Sequence, residues 1–371
     1  MMEFLLDRWK AVAWQLPEDF LSYDHYCRVV KNLDWNSSPG LPWMRQSATN
    51  RILFEVIDGV PSELALMRVW EVVRKRLEDR DCDPIRLFIK PEPLKRRKLE
   101  QGSYRLISSV SVVDQIIDGM LFGTMNDLVI ENYLQTPSKV GWSPYNGGWK
   151  IMPVFGMKSL DKRAWDWSMQ AWVVEFLFEL RKSLMIKTRH SKLWEDLALW
   201  RYRMLFESPL FMTSGGLLLR QLLAGVMKSG CFNTIIDNSM AQDFLHVRVC
   251  LELGLEVGDL MSMGDDTTQR KFKLFSEYVD RLSQYCHVKE VVDANEFAGH
   301  RFRLCYVEPL YRGKHAFNLL HMDPRYEDDM ALSYSLLYHR SACRDYIRNL
   351  FEDMGLYVPS LRTLDVIYDG E

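Results

Sequence analysis

The sequence lacks several features that would place it in common classes of protein. No stretch reaches about 18 uncharged apolar residues, the length that a membrane-spanning helix needs. The first residues, MMEFLLDRWKAVAW, carry charges too early for a secretory signal peptide. Internal repeats and low-complexity tracts are also missing. We therefore expect a globular chain that neither spans a membrane nor enters the secretory pathway.

Cysteine pairs and an excess of basic charge are missing as well. The cysteines at positions 27, 82, 231, 250, 286, 305 and 343 include no Cys-x-x-Cys pair and have no histidine at zinc-like spacing. We expect reduced thiols of a cytosolic protein. The formal net charge is -3, so nucleic-acid binding would require local basic charge. The chain is 47% hydrophobic, which over 371 residues predicts a large core.

The most informative stretch runs from Leu260 to Thr268, where apolar residues lead to Gly264 and two aspartates. This pattern predicts a strand, a tight turn and a return strand. Two acids at a turn are often only a solvated hairpin tip. Alternatively, Asp265, with Asp266 beside it, binds a divalent cation such as Mg²⁺, which prefers carboxylate and phosphate oxygens. A pair of ions that catalyses phosphoryl transfer would require a further carboxylate.

Asp161 is the best candidate for that further carboxylate. The apolar segment 151–160 precedes it, and a turn and a helix from Ser168 follow. The pattern predicts a strand that delivers Asp161 at its end, although a turn residue or a helix N-cap would have the same appearance. Asp166 follows five positions later, past the turn, and need not share metal ligands with Asp161.

Basic residues are concentrated in a predicted hairpin, whose strands cover residues 85–89 and 103–108. Between Arg86 and Arg105 the segment contains seven basic residues and only two acids. The basic residues are Arg86, Lys90, Lys95, Arg96, Arg97, Lys98 and Arg105. Such a hairpin is either a solvated tip or a set of fixed cations that meets the phosphates of a nucleoside triphosphate.

A rigid loop occupies residues 34–43, because DWNSSPGLPW holds two prolines and a glycine within four residues. It is either a connecting turn or a loop whose amides and serine hydroxyls contact a nucleic-acid backbone. A second loop begins at Lys228 and leads into a helix that ends near Gly254. In that helix Thr234 and Asn238 share a face that suits contact with sugar hydroxyls, although ordinary capping fits the loop equally well.

In their order along the chain, these segments resemble the palm and fingers of a viral RNA-dependent RNA polymerase. The set comprises Asp-x4-Asp, Ser-Gly-x3-Thr-x3-Asn and Gly-Asp-Asp, with the basic block upstream. Shorter matches narrow the resemblance to the sobemovirus and polerovirus-like polymerases of positive-strand RNA viruses. These matches are SSPG (37–40), FIKPEP (88–93), RLI (105–107), VSVVDQ (110–115), WDWS (165–168) and EFAGH (296–300).

The resemblance implies catalytic roles for four residues. Asp161 and Asp265 match the first and second catalytic aspartates, which bind two Mg²⁺ or Mn²⁺ ions. Asp266 matches the accessory acid, which makes it a third candidate metal ligand. Lys289 lies where the family carries a lysine proposed as the general acid for pyrophosphate.

The resemblance also implies two sets of binding residues. The residues that match nucleotide-binding positions are Lys90, Lys95, Lys98, Arg105, Asp166, Ser229, Gly230, Thr234 and Asn238. The residues that match the template-binding loop are Ser37, Ser38 and Gly40. Asp166 as acceptor and Asn238 as donor would distinguish a ribonucleotide from a deoxyribonucleotide through the 2′-hydroxyl group.

The fold that the resemblance implies is an α+β right hand, in which the palm combines an antiparallel sheet with helices. Fingers and a small helical thumb complete the hand. The expected division is 1–155 for the N-terminal segment and fingers, 156–302 for the palm with a finger insertion near 187–225, and 303–371 for the thumb. Within the fingers, the loop 34–43 receives the template and the hairpin 86–108 lines the nucleotide channel.

The expected substrates are a single-stranded RNA template and ribonucleoside triphosphates. A protein primer and other viral replication proteins are further expected partners, and the chain could be one part of a polyprotein. The expected location is a membrane-associated replication complex in the host cytoplasm, reached through partners. A reverse transcriptase is one alternative, which the Asp166 and Asn238 pair disfavours. A non-catalytic RNA-binding scaffold is another, which the presence of Asp161 and Asp265 disfavours.

Overall fold

The computed structural model describes residues 1–370. More of these residues are in helices than in strands, and the strands are short. In chain order, the strands are β1 (Trp14–Gln15), β2 (Ile85–Ile89), β3 (Leu106–Ser109), β4 (Met157–Lys162), β5 (Met185–Ile186), β6 (Leu210–Thr213), β7 (Leu218–Arg220), β8 (Leu260–Met263), β9 (Asp266–Arg270), β10 (Val288–Val292), β11 (Asn295–Phe297), β12 (His300–Phe302) and β13 (Val307–Pro309). The helices are α1 (Met2–Arg8), α2 (Tyr23–Lys31), α3 (Asn50–Leu53), α4 (Glu63–Asp79), α5 (Arg96–Glu100), α6 (Val112–Glu131), α7 (Trp165–Ser168), α8 (Ala171–Ser183), α9 (Ser191–Phe206), α10 (Thr234–Glu252), α11 (Phe275–Leu282), α12 (Arg312–Leu320), α13 (Glu327–Leu337), α14 (Arg344–Asp353) and α15 (Leu361–Asp369).

The chain forms two compact units. The first comprises residues 1–140 and 164–248, and the second comprises residues 141–163 and the chain from Val249 onward. These boundaries differ from the sequence-based division into fingers, palm and thumb, which separates functional subdomains and stays a prediction. The combination of many helices with antiparallel and mixed sheets confirms the α+β class.

The first unit is built around helix α6. Apolar side chains from Val112 to Val129 are buried on all sides of this helix, as expected for a helix in the interior of a large unit. The hydroxyl oxygen of Ser111 caps its N-terminus by accepting a hydrogen bond from the amide of Asp114 at 3.3 Å. The sequence places this helix correctly because its apolar character is continuous.

Two buried arginines join the helices that surround α6. Arg201 of α9 contacts Asp118 at 2.6 Å and Asp114 at 2.9 Å, both in α6. Arg181 of α8 contacts Asp237 of α10 at 2.6 Å. All five side chains are at most 2% exposed. Because an unpaired charge at such depth is costly, these contacts hold α9 against α6 and α8 against α10.

A four-stranded sheet of the first unit has the order β3-β2-β6-β7. β2 and β3 form the predicted basic hairpin, and β6 and β7 form the predicted hairpin around residues 214–216. The connection between β2 and β3 is not a simple turn, because Arg96–Glu100 form the short helix α5. Straight-chain residues such as Arg, Lys and Leu are good helix formers, which the hairpin prediction did not weigh.

Other helix predictions need similar corrections. Residues 1–33 favour helix throughout from their sequence, but they form α1 and α2 with β1 between them. The predicted helix that starts at Ser168 and covers 169–186 begins at Ala171 instead, after the separate turn α7. The break arises because Met169 and Gln170 are extended, and the carbonyl of Met169 accepts a hydrogen bond from Val226 at 2.7 Å.

The main sheet of the second unit has the order β10-β4-β9-β8. β8 and β9 form the predicted strand, turn and return strand, with Gly264 at a φ of +63°. Glycine adopts this left-handed conformation without steric cost. β4 lies between β9 and β10, so Leu160 pairs with Thr267 on one side and with Val291 on the other. Residues 288–292 favour an edge strand from their sequence, and β10 lies at the edge of this sheet.

A small sheet and several helices complete the second unit. The sequence favours a hairpin formed by segments 296–302 and 304–307. Instead, the sheet has the order β11-β12-β13, with the first hairpin within residues 295–302 and the third strand beginning at Val307. Helices α12 to α15 account for most of residues 310–370, and a core around Tyr334 and Phe351 joins α13 to α14. No helix within residues 1–370 is long and apolar enough to cross a membrane.

Candidate active site

The acids predicted to bind metal ions lie in the main sheet of the second unit. Asp161 is in β4, Asp266 begins β9, and Asp265 is in the turn before β9. Because Leu160 pairs with Thr267, Asp161 and Asp266 are the next residues to face each other across these strands. Facing residues of antiparallel strands have Cα atoms about 5 Å apart. The sheet therefore brings the three predicted acids to one end of β4 and β9.

Charges at this end of the sheet affect one another. Burial raises the pKa of Asp266 to about 6, and the charges of Asp265 and Asp161 act in the same direction. Lys162 is a buried cation nearby, and its Nζ donates to the hydroxyl of Thr267 at 2.7 Å. Burial lowers the pKa of Lys162 to about 8, whereas the acids oppose this shift.

Lys162 was not identified from the sequence, although the alternation of side chains along the strand would have predicted its burial. Alternate residues of a strand point to opposite faces, so Lys162 shares a face with Leu160 rather than with Asp161. Both Leu160 and Lys162 are buried, whereas Asp161 is exposed. A lysine on the core face of a strand, next to an acid, predicts a basic group behind the carboxylates.

Lys289 reaches the acids through a β-bulge in β10. Val288 pairs with Lys162 and Glu290 pairs with Asp161, so Lys289 is an extra residue between the two pairs. Bulges redirect side chains in this way. The ammonium of Lys289 donates a hydrogen bond to Oδ2 of Asp161, and this bond raises the pKa of Lys289. Lys289 thus lies beside a predicted catalytic acid, and its role as general acid stays a prediction.

The residues fit divalent cations whose coordination is completed by substrate. Within residues 1–370, no group of three or more His, Cys, Asp or Glu side chains is arranged to hold a metal ion. Mg²⁺ in phosphoryl-transfer sites commonly takes one or two carboxylates together with water and substrate phosphates. Asp161 and Asp265 present exposed carboxylates, and Asp161 already contacts a cation, the ammonium of Lys289. The two-ion site stays a prediction.

Asp166 and Asn238, predicted to select the ribose, are in contact in the first unit. Nδ2 of Asn238 donates to Oδ1 of Asp166 at 2.8 Å. Asn238 is 4% exposed, and its Oδ1 is buried without a hydrogen-bond partner among the described residues. A buried acceptor that lacks a donor costs about 1–3 kcal/mol. The predicted donation from the amide nitrogen to a 2′-hydroxyl group stays a prediction, and the carbonyl oxygen of the same amide is the atom that lacks a partner among the described residues.

Ser229 and Gly230 are held against β3 by Ser108. The amide of Ser108 donates to the hydroxyl of Ser229 and the amide of Ser229 donates to the hydroxyl of Ser108, each at 3.1 Å. The amide of Gly230 donates to the carbonyl of Ser108 at 3.0 Å, and a Cβ atom on Gly230 would lie 2.5 Å from that carbonyl. Ser108 directly follows the RLI motif but was not identified from the sequence as a partner of this loop.

Thr234 does not share the environment of Asn238. Its hydroxyl lies 2.7 Å from the carbonyl oxygens of Lys228 and Cys231 and therefore closes the loop that precedes α10. This contact neither supports nor contradicts the alternative of helix capping by Ser229 or Asn233. The contact of Thr234 with a sugar hydroxyl stays a prediction.

The basic hairpin brings two of its four predicted phosphate-binding residues together. The amide of Lys90 donates to the carbonyl of Arg105 at 2.8 Å where the strands separate. Both charged groups lie 3.5 Å from the same oxygen of Glu92, so one acid is shared by two cations. Lys95 and Lys98 are exposed at α5. The segment thus keeps an excess of positive charge.

The loop predicted to bind the template is anchored next to α6. Gly40 has a φ of +69°, and a Cβ atom there would lie 2.8 Å from the carbonyl of Val110, so the close approach requires glycine. Ser37 and Ser38 are exposed. The hydroxyl of Ser37 donates to Asp34, which stabilises the turn. The loop is therefore rigid at Gly40 and presents its serines to solvent.

Comparison with known proteins places these features in a family. The family model described as viral RNA-dependent RNA polymerase matches residues 24–290. The replicase polyprotein P2AB of Southern cowpea mosaic virus is 33% identical over 258 residues, which are 64% of this chain and 26% of that protein. Protein P1-P2 of Potato leafroll virus is 29% identical over 326 residues, 79% of this chain and 30% of that protein.

A shorter relative covers a larger share of its own length. The RNA-directed RNA polymerase of Mushroom bacilliform virus is 24% identical over 312 residues, which are 76% of this chain and 68% of that protein. The matched part of the chain thus corresponds to about a quarter to a third of the length of the first two relatives. These matches confirm the resemblance to sobemovirus- and polerovirus-like polymerases. The chain belongs to the viral RNA-dependent RNA polymerase family.

Proposed function

We propose that the chain is an RNA-directed RNA polymerase that joins ribonucleotides along a single-stranded RNA template. The observation that carries the proposal is the meeting of Asp161, Asp265 and Asp266 at one end of a sheet, in a chain of this family. The proposal includes two Mg²⁺ or Mn²⁺ ions, for which these acids are the ligands. When bound, the ions would lower the pKa of the RNA 3′-hydroxyl and neutralise charge on the pyrophosphate.

Basic residues supply the remaining charge that the reaction requires. Lys289 is an ammonium beside the acids, so it can donate a proton to the departing pyrophosphate. Lys90 and Arg105, with Lys95 and Lys98 on the same hairpin, bind the triphosphate of the incoming nucleotide. Lys90 and Arg105 lie at the ends of β2 and β3, and Lys95 and Lys98 lie at α5, so their backbone is ordered before a nucleotide binds.

Ribose recognition belongs to Asp166 and Asn238, supported by Ser229 and Gly230. A 2′-hydroxyl group is both donor and acceptor and can therefore satisfy the buried amide oxygen of Asn238. A deoxyribonucleotide cannot do so, because it lacks the hydroxyl. This polar pair distinguishes the proposal from a reverse transcriptase, in which a bulky side chain opposes the 2′-hydroxyl.

The same proposal assigns the larger parts of the chain. Residues 1–155 contribute the fingers, residues 156–302 the palm with its finger insertion, and residues 303–371 a small thumb. The loop with Ser37, Ser38 and Gly40 guides the template. A small thumb favours a start from a protein or nucleotide primer. The replicase names of the relatives favour work beside other viral replication proteins, within a membrane-associated complex in the host cytoplasm.

The decisive test is incorporation of labelled ribonucleotides on a single-stranded RNA template with Mg²⁺ or Mn²⁺. We expect synthesis by the native chain and loss of synthesis in Asp265→Asn, because the amide cannot replace a carboxylate ligand. Asp280→Asn, the same change at an exposed position of α11, is the matched control and should retain activity. Equal synthesis by the native chain and Asp265→Asn would overturn the proposal, as would synthesis without template.

A further inference from the structure

The segment between β7 and α10 contains a buried lysine that has no part in the functions described above. Lys228 is fully buried, and its Nζ lies within hydrogen-bond distance of three neutral oxygens. These are Oε1 of Gln221 at 2.8 Å, the carbonyl of Gly225 at 3.0 Å and the carbonyl of Val226 at 2.6 Å. Three acceptors match the three N–H donors of an ammonium group.

The rest of the surroundings also suit a cation. Nζ of Lys228 lies 5.3 Å from the ring centre of Phe206 and 6.0 Å from that of Phe211, whose faces attract positive charge. Burial lowers the pKa of Lys228 to about 7, and the nearby thiol of Cys231 acts in the opposite direction. The three acceptors favour the protonated form, because a neutral amine can donate to only two of them.

Gln221 extends this network to the other end of the segment. Its Nε2 lies 3.2 Å from the carbonyl of Phe206, 2.8 Å from that of Leu223 and 3.0 Å from that of Gly225. Its Oε1 accepts from Lys228. One amide and one ammonium therefore join the end of α9, the turn after β7 and the residues just before Ser229.

The network encloses a backbone conformation that is otherwise unfavourable. Val226 has a φ of +59°, an outlier for a β-branched residue, and Gly225 has a φ of +103°. Such conformations persist where surrounding contacts impose them. In this conformation the amide of Val226 donates to the carbonyl of Met169 at 2.7 Å, and the amide of Met227 donates to the carbonyl of Asp166 at 2.8 Å. The strained turn is thus bonded to the backbone of Asp166 itself.

We propose that Lys228, together with Gln221, is a positioning residue that determines ribose selection through this turn. Lys228 holds residues 225–227 in the conformation that fixes Asp166, the partner of Asn238. It also directly precedes Ser229, so the same bonds set the start of the nucleotide-binding loop. The inference deepens the proposed function and rests on it, and it gives Lys228 no contact with substrate.

Hydrogen exchange tests the positioning without any need for activity. We expect Lys228→Met to accelerate exchange of the Val226 and Met227 amides about tenfold or more, because the bonds that impose their conformation are lost. The matched control is Lys139→Met, since Lys139 is also a buried lysine of the first unit whose Nζ donates to carbonyls, those of Tyr133 and Thr136. Unchanged protection of the two amides in a folded Lys228→Met chain would overturn the inference.

Nucleotide kinetics provide the functional readout. In Lys228→Met we expect the KM for a ribonucleotide to rise about tenfold and the preference for ribonucleotide over 2′-deoxyribonucleotide to fall about tenfold, with a smaller change in kcat. Lys139→Met should leave both ratios within about twofold of native. A purely structural lysine would instead lower active enzyme without changing KM or sugar preference, which would refute the inference.

A second variant covers the case in which Lys228→Met does not fold. Gln221 is half-exposed, so Gln221→Ala removes an acceptor of Lys228 without emptying a buried site. We expect the same changes in exchange and sugar preference, in smaller degree, and unchanged values would again refute the inference. If the native chain makes no RNA, ribose selection falls with the proposed function, and the exchange data still decide whether Lys228 holds residues 225–227 in place.

Discussion

Replacement of Arg201 by methionine gives the sharpest test of how the first unit is held together. The guanidinium is fully buried between Asp114 and Asp118, so the variant leaves two buried carboxylates without their cation. Removal of one partner from a buried ion pair costs about 3–5 kcal/mol. A unit of this size loses roughly 2–4 °C per kcal/mol, so the unfolding midpoint should fall by about 6–20 °C.

The stability lost in Arg201→Met should depend on pH, and the direction of this dependence can be predicted. Burial raises the pKa of Asp118, and Arg201 opposes that rise, so removal of the arginine leaves burial unopposed. The folded variant then binds a proton that the unfolded chain, with an aspartate pKa near 3.9, has released. Its stability therefore decreases as pH rises, and the loss relative to native should be smaller at pH 5 than at pH 8.

Urea or thermal unfolding followed by circular dichroism at both pH values measures this effect. The control is Arg203→Met on the same helix, because Arg203 is 57% exposed and pairs with Glu207 at 3.6 Å. The free energy of unfolding of Arg203→Met should stay within about 0.5 kcal/mol of the native value. A loss below about 1 kcal/mol for Arg201→Met at pH 8, or a larger loss at pH 5 than at pH 8, would refute the reasoning.

Other contacts in the chain lead to three more tests. Arg181→Met should cost about 3–5 kcal/mol in urea unfolding because Asp237 loses its buried cation, and a cost below about 1 kcal/mol would contradict this. Polymerase activity should fall as the pH drops below about 6, because Asp266 then takes up a proton. The pH of half-maximal activity should move lower as the Mn²⁺ concentration increases, and a pH of half-maximal activity that does not depend on Mn²⁺ would speak against Asp266 as a ligand. Gly230→Ala should raise the KM for ribonucleotides on the order of tenfold, since its Cβ would lie 2.5 Å from the carbonyl of Ser108, and an unchanged KM would remove the case for that contact.

The parts of the fold that the sequence predicts are those set by local patterns. The turn at Gly264 follows from a glycine between an apolar run and polar residues. Residues 61–79 predict an amphipathic helix that starts near Pro61-Ser62, and the helix covers Glu63–Asp79 with Ser62 as its cap. The strand that carries Asp161 is predicted correctly only at its end, because β4 covers Met157–Lys162 and the apolar residues 151–156 lie before it. In each case nearby residues determine the backbone, so composition and spacing are sufficient.

The parts that escape sequence reasoning depend on contacts between distant segments. Ser108 meets Ser229 because β3 lies next to the loop before α10, more than a hundred residues later in the chain. Lys289 reaches Asp161 because of a bulge, and nothing local in its strand marks an extra residue. Lys228 contacts the strained turn because the carbonyls of Gly225 and Val226 fold back onto its ammonium group. Spacing along one chain does not contain these three-dimensional relations.

The bulge in β10 also bears on how the protein avoids association with copies of itself. An open edge strand presents unpaired N–H and C=O groups, to which a strand of another molecule can bind. In β10 the extra residue disturbs the regular spacing of these groups, and Lys289 and Glu290 add exposed charges of both signs. The irregularity that aims a lysine at the acids therefore also makes this edge a poor template for aggregation.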